Sequence, residues 1–311
     1  MDTFNGLLLD KDTKKQMEVY LSKVTGGLIL LGDKGIGKSL CAIRIACAIL
    51  NCTEKELITH PDYFRVESDN GTIRIEQMQV LKDKSSLIAS KALKKVFLIN
   101  DAESMSISAQ NSILKILEDG NTTNILIFVS HSKLLSTIHS RSTVIKFKNP
   151  IEEDLRIFIE ETGDDVSELI LAMSDGKLGL YYQIKANDEF VKYINCIIKT
   201  INRMQRKREL LEVFHELKEK DKNNFYDSFE QVFITAFTRV LKDIFTNLLC
   251  YRFKQCPKYA FMDYDRLCKH YTVSQNTLLV TTLEQHLNRM QKKGAYNKND
   301  FFDLIRTMVT D

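Results

Sequence analysis

The stretch that most limits what this chain can fold into is Gly32-Asp-Lys-Gly-Ile-Gly-Lys-Ser39, which fits the phosphate-loop pattern G-x-x-x-x-G-K-[ST]. Gly27-Leu-Ile-Leu-Leu31 before it reads as a buried strand ending at a glycine-rich turn. Residues 38–50 after it are apolar nearly all round and read as a buried helix. Glycines let the backbone fold so tightly that consecutive N–H groups point at phosphate oxygens. The positive end of the following helix adds to the attraction. The nucleotide-binding candidates are therefore Gly32, Asp33, Lys34, Gly35, Ile36, Gly37, Lys38, Ser39 and Leu40. Lys38 supplies a charge for the β/γ-phosphates and Ser39 a hydroxyl for Mg²⁺. The competing reading, a glycine-rich turn with no ligand, is disfavoured by flanks of the right type on both sides.

Around this segment the first half alternates strand-like and helix-like runs. Strands are expected at Tyr63–Val66, Lys95–Asn100, Asn124–Ser130 and Thr143–Phe147, with helices at 13–24, 75–89, 105–118 and 132–139. Such alternation implies an α/β domain whose mostly parallel sheet is covered on both faces. After Asn149-Pro150 the pattern becomes helical: Ile151 to Glu161, Val166 to Met173, Leu180–Ile184, then nearly everything from 189 on. Loops are expected at 221–224, 255–258 and 294–297. The division predicted is 1–150 as the nucleotide-binding domain, 151–188 as a small helical lid and 189–311 as a helical domain.

At 311 residues, 44% hydrophobic and 27% charged, the chain has ordinary globular composition and material for two or three domains. Its longest apolar runs, such as Ile125 to Val129, fall far short of the roughly 20 residues of a membrane-spanning helix. Charges at Asp10, Lys11, Asp12, Lys14 and Lys15 interrupt any signal-peptide pattern. Seven cysteines without a Cys-x-x-Cys pair give no support to a zinc ribbon and fit a reducing cytoplasm. Net charge is −4 over residues 1–190 and +7 over 191–311. The basic part reads first as a solvated helical surface and second as a face for an acidic partner or nucleic acid.

Nucleotide hydrolysis also needs an acidic residue at the end of a neighbouring strand. Lys95-Val-Phe-Leu-Ile-Asn-Asp-Ala-Glu103 is that strand in form, but its first polar position is Asn100, followed by Asp101. An asparagine is a weaker partner for the Mg²⁺ shell than a carboxylate, and Asp101 is one methylene shorter than a glutamate. Alternatively both residues cap the turn after the strand. The pattern predicts nucleotide binding with weakened hydrolysis.

Further segments carry a family resemblance: His60-Pro61-Asp62 before a strand, Ile73-Arg-Ile-Glu-Gln-Met78, Asn100-Asp-Ala-Glu-Ser-Met105 and Ala109-Gln-Asn-Ser-Ile-Leu-Lys-Ile-Leu-Glu118. Ile127-Phe-Val-Ser130 follows at a sensor-1 position, and Thr137-Ile-His-Ser-Arg-Ser142 is similar to a Thr-Ile-x-Ser-Arg-Cys segment. In this order they resemble the AAA+ clamp-loader family, in particular the delta-prime type of bacterial DNA polymerase III. The resemblance is specific over about 25–150, fair to about 185 and architectural beyond. It implies a subunit that binds ATP or ADP with Mg²⁺ and assembles with other loader subunits (gamma/tau and delta). It reaches the sliding clamp and primed DNA through that complex. Asn100 and Ser130 join the nucleotide site by this resemblance, Asp101 is a weak catalytic candidate, and Arg141 is the arginine finger acting in a neighbour's site. The resemblance also makes 189–311 a collar packing against partner subunits. Apolar sets there, such as Phe229, Val232, Phe233, Ala236 and Val240, read first as intramolecular core.

Departures from the family pattern shape the expectation. Gly176-Lys-Leu-Gly-Leu180 puts leucine where the family's sensor-2 arginine stands, and Asn100 replaces the usual acid. Both point to a non-motor subunit that holds nucleotide and hydrolyses it poorly, although the complete phosphate loop is unlike many delta-prime chains. Only Cys52 lies in residues 50–60, so no zinc module is expected, and His60 reads as structural. Phe4–Asp10 lacks the usual adenine-contacting Gly-Gln segment. Lysines 91, 94 and 95 read as helix ends or as DNA-phosphate contacts. The alternatives are a catalytic ATPase motor of the same loader and an unrelated P-loop nucleotide kinase, for which no organised set of lid arginines is present.

Overall fold

The computed structural model describes residues 3–4, 6–69, 71–118, 123–205, 209–210, 212, 231–290 and 308. The loops expected at 221–224 and 294–297, and Phe229, lie outside the described residues. The chain groups into two compact units: Met1–Thr162 with Gly176–Gly179, and Gly163–Asp175 with Leu180–Asp311.

In the first unit, β1 (Gly27–Leu31), β2 (Tyr63–Val66), β3 (Lys95–Ile99), β4 (Asn124–Ser130) and β5 (Ser142–Lys146) form one sheet. All its pairings are parallel, in the order β2-β3-β4-β1-β5. These are the five runs expected from the sequence, shifted by a residue at the ends of β3 and β5. Their side chains alternate between two cores, as strand geometry requires. Leu28, Leu30, Val96, Leu98, Ile125 and Ile127 share one core with Met17 and Tyr20 of α1 (Lys11–Ser22) and Ala42 and Ile45 of α2 (Lys38–Leu50). Ile29, Phe97, Ile99, Leu126 and Phe128 share the other with Met78 and Leu81 of α4 (Ile75–Ser86). Each large apolar side chain fully buried this way contributes about 1.5–3 kcal/mol. Phe4 also lies in the first core, so the segment before Asp10 packs against the sheet.

Several helices end or begin where local pattern did not place them. The short α3 (Glu54–Leu57) was not anticipated; it starts on a capping box in which Thr53 and Glu56 bond each other's backbone N–H. The expected helix 75–89 stops at Ser86 because Lys95 Nζ takes its final carbonyls, donating to those of Lys84 at 2.7 Å, Ser85 at 3.0 Å and Leu87. Lys95 is thereby buried, which overturns its reading as a DNA-facing residue. Lys94 Nζ donates to the Val24 carbonyl at 2.5 Å. The expected helix 105–118 is broken into α5 (Ile107–Ser112) and α6 (Leu114–Glu118), and a 3₁₀ turn (Ala102–Ser104) precedes them. Of 132–139 only α7 (Ser136–His139) is helical. The unit closes with α8 (Glu152–Glu161).

The second unit contains α9 (Glu168–Ser174), most of α10 (Leu178–Lys185), α11 (Asp188–Arg203), α12 (Gln231–Arg252), α13 (Tyr264–His270) and α14 (Val273–Met290), with no strand among the described residues. Buried Phe190, Tyr193, Ile194, Ile197, Ile198 and Ile201 give α11 one apolar stripe. Along α12, which packs on α14, Phe233, Ala236 and Val240 are buried within the unit while Val232 is exposed. Three members of the set, Phe233, Ala236 and Val240, are thus core as their spacing suggested, and Val232 is not. No described helix is long and apolar enough to cross a membrane.

Candidate nucleotide-binding site

The phosphate-loop segment leaves the carboxyl end of β1, which lies between β4 and β5, and runs into α2. Three bonds fix its base: Gly32 N–H to the Ser130 carbonyl at 3.2 Å, Phe147 N–H to the Leu31 carbonyl at 2.8 Å, and the Asn149 amide to Asp33 Oδ2 at 2.7 Å. Gly37 precedes α2 at φ 90°, a left-handed conformation that side-chain-bearing residues rarely adopt. The first backbone bond from this stretch into α2 is Cys41 N–H to the Gly37 carbonyl, at 3.0 Å. Among the described residues no acceptor takes the N–H groups of residues 34–40, a row of orphaned donors at a helix start. That row, together with Lys38, fits an anion such as a phosphate chain.

Lys38 is buried, and its Nζ donates to the Asp33 carbonyl at 2.5 Å. Burial pulls its pKa down; the fields of Glu103, Asp33 and Asp101, in that order, work the other way. Ser39 and Leu40 are exposed in the first turn of α2. Asp101 sits after β3 at φ 47° and faces Lys34 at 4.0 Å, both side chains being largely exposed. Asn100 is buried; with its amide oxygen turned toward β2 it accepts from Arg65 Nε at 3.1 Å and Nη2 at 3.0 Å. The structure thus brings Lys38, Asp101 and Ser130 to the carboxyl end of the sheet and engages Asn100 with a neighbouring strand.

Three residues of this region were missed by the sequence reading. Glu103, on the 3₁₀ turn, accepts from the Ser130 hydroxyl at 2.9 Å and from His131 N–H at 3.2 Å, and pairs with His131 Nδ1. Burial opposes ionisation of Glu103, but these donors and His131 prevail and hold its carboxyl below the usual range. The third is Lys177: a Cβ on Gly35 would lie 3.5 Å from Lys177 Cβ and 3.7 Å from its Cγ and Cδ, so its stem lies over the loop. The only signal for Lys177 was its place in Gly176-Lys-Leu-Gly179; Glu103 lay inside the quoted Asn100–Met105 segment without being assigned a role, and nothing local marked His131. Leu180 is buried in the helical unit.

Other singled-out residues have structural partners. His60 Nδ1 accepts from Asp62 N–H at 3.2 Å. Asp62 accepts from the N–H groups of Ser90, Lys91 and Ala92 at 2.6, 2.7 and 2.8 Å. Burial pushes the Cys41 thiol up to about 12 and the Cys47 thiol to about 11, as expected of small apolar side chains. Arg141 ends the α7 turn and pairs with Glu118 at 2.7 Å.

The sequence profile of the family described as "DNA polymerase III, delta subunit" matches residues 12–151. The chain is 28% identical over 204 residues to the DNA polymerase III subunit delta' of Bacillus subtilis, covering 60% of this chain and 59% of that one. It is 32% identical over 171 residues to the Pseudomonas aeruginosa subunit delta', covering 48% and 52%. It therefore matches between half and three-fifths of these relatives' length. Among solved structures, a DNA polymerase III gamma subunit-related protein from Thermotoga maritima superposes with a TM-score of 0.57 at 16% identity, covering 95% of this chain and 98% of that one. The last likeness speaks for the fold, and the family match falls on the unit that carries the phosphate loop. Over residues 12–151 the chain is thus similar to DNA polymerase III subunits of the delta type, and it shares its fold with the gamma subunit-related protein.

Proposed function

We propose that this chain is the delta-prime subunit of a DNA polymerase III clamp loader, working in the cytoplasm with gamma/tau and delta subunits and meeting the sliding clamp and primed DNA through that complex. In this reading residues 1–150 bind nucleotide, 151–188 form the lid and 189–311 the collar that meets the partner subunits. The N–H groups and Lys38 of the 32–40 segment hold ATP or ADP. Ser39 would hold Mg²⁺ through its hydroxyl, and the ion would supply positive charge against the phosphates. Asp101 and Ser130 complete the polar surroundings, and the Lys177 stem covers the loop.

The observation that carries the proposal is the combination of an intact donor row with Asn100 at the end of β3. Asn100 has no charge to offer a metal, and its oxygen is engaged by Arg65. A site of this composition binds nucleotide and turns it over poorly. Arg141, at an exposed turn, acts on a neighbour's nucleotide, where a guanidinium stabilises charge on the transferred phosphoryl oxygens. The test is the DNA-stimulated ATPase rate of the reconstituted loader with Arg141→Ala in this chain. A loss of about tenfold or more with assembly intact supports the reading, and an unchanged rate removes the arginine-finger role. The competing motor reading is favoured by Asp101 and Glu103, whose charges act on Lys38. Turnover by the isolated chain that disappears in Lys38→Ala would establish it instead.

A further inference from the structure

Arg141 does not hang freely from its turn. Its Nη2 pairs with Glu118 Oε1 at 2.7 Å, and its Nη1 donates to the Thr137 carbonyl at 3.1 Å and approaches Ser140 Oγ at 3.2 Å. Glu118 is the last residue of α6, whose Ile116 and Leu117 are anchored in the sheet's second core. Arg141 directly precedes β5. What brings these two termini together is Gly27 at the start of β1. A Cβ there would stand 2.3 Å from Ser142 Oγ and 2.9 Å from Leu117 Cδ2. The absent side chain at Gly27 lets the neighbours of Arg141 and Glu118 close over the strand. The carboxylate thus stands next to residues anchored in the core.

We propose that Glu118 is the positioning residue for Arg141, fixing the guanidinium in one place from which it serves the phosphates of a neighbouring subunit's nucleotide; this rests on the reading of Arg141 as acting in trans. A guanidinium has five N–H donors. The bonds to Glu118, Thr137 and Ser140 use three of them, which leaves two for a phosphate without releasing the hold. The Arg141 side chain remains 36% exposed, so it can be reached from outside. Freezing a long arginine beforehand removes an ordering cost that would otherwise fall on the transition state. An exposed pair of this kind adds little to stability. Its loss is therefore read in function and not in folding.

The experiment uses the assembled loader, with DNA-stimulated ATPase measured for Glu118→Ala, Glu118→Gln, Arg141→Ala and the double variant Glu118→Ala/Arg141→Ala. Glu118→Ala is expected to lower kcat by about three- to tenfold at unchanged KM for ATP, because only the ordering of the arginine is lost. Glu118→Gln, which keeps an oxygen that can accept from Arg141, should recover part of the loss. In the Arg141→Ala background Glu118→Ala should cost nothing further. An unchanged or faster rate in Glu118→Ala while Arg141→Ala is slow overturns the positioning role. So does an equal loss from Glu118→Ala with and without Arg141, which would place Glu118's effect elsewhere. If Arg141→Ala itself has no effect, the trans-acting reading fails first and takes the role of Glu118 with it.

Discussion

The Ser130 hydroxyl at the end of β4 lies 2.9 Å from Glu103 Oε2, on the turn that follows β3. Two adjacent strands are thereby locked at their carboxyl ends by a largely buried carboxylate, which also pairs with His131. Because the folded state holds Glu103 below its ordinary value of 4.5, its contribution is present above about that pH and is lost as pH falls through the folded value. Glu103→Gln should lower stability by about 1–2 kcal/mol near pH 7. The difference from wild type should shrink in acid, measured by urea unfolding at a series of pH values. A difference that persists undiminished at pH 3 would contradict it.

Asp62 plays a comparable role before β3, gathering three successive backbone N–H groups. Burial disfavours its charge, but the three donors outweigh that and lower its pKa from 3.8. The same sign holds: its stabilisation is complete above about pH 3.8 and declines below it. Asp62→Asn offers one oxygen where two carboxylate oxygens served three donors. A loss of about 2–3 kcal/mol in unfolding free energy is expected. A denaturation midpoint equal to wild type would show that the 90–92 segment finds other acceptors.

Lys38 is a buried cation whose pKa burial depresses. The fold therefore carries a cost for keeping it charged, a cost that eases as pH rises through its folded pKa. Lys38→Met, which keeps the stem and removes the charge, should leave thermal stability equal or slightly higher. Binding of ATP or ADP by calorimetry should weaken by about tenfold or more, the loss expected from removing a charge-assisted contact to phosphate. Unchanged nucleotide affinity would remove Lys38 from the site.

Asn100 invites a direct substitution. In Asn100→Asp the new carboxylate lies beside Arg65, which already takes the asparagine oxygen. The expected result is a paired, unreactive acid: stability within about 1 kcal/mol of wild type and no gain in ATP turnover by the isolated chain. Turnover that rises severalfold would mean that the residue at 100 alone limits hydrolysis.

Gly27→Ala places a methyl where Ser142 Oγ and Leu117 Cδ2 already stand. Overpacking of this kind costs about 1–3 kcal/mol. A chemical-denaturation midpoint that does not move would show that both side chains swing away freely.

How much of this was legible beforehand differs by element. β1, β3 and β4 could be read because each is a short apolar run, the signature of strands buried on both faces, while the edge strands β2 and β5 carry polar residues and were read from the alternation of segments. The phosphate loop was legible because its glycines, lysine and serine are contiguous and their conformations are local. Helix ends were less so: α4 stops where Lys95, a side chain from a following strand, takes its carbonyls. No pattern within 75–89 encodes that.

By itself the sequence determined the strand set, the donor-rich turn into α2, the neutral Asn100 where an acid is expected and the helical second half, since each depends on residues next to one another in the chain. Only the tertiary structure decided that Glu103 locks onto Ser130 and His131, that Lys177 covers Gly35, that Asn100 belongs to Arg65, and that Glu118 holds Arg141. Those pairings join residues far apart in sequence. They exist because a packed parallel sheet fixes the ends of its strands and helices to within a bond length of one another, a constraint that arises from the close packing of the whole unit and from no local run of residues.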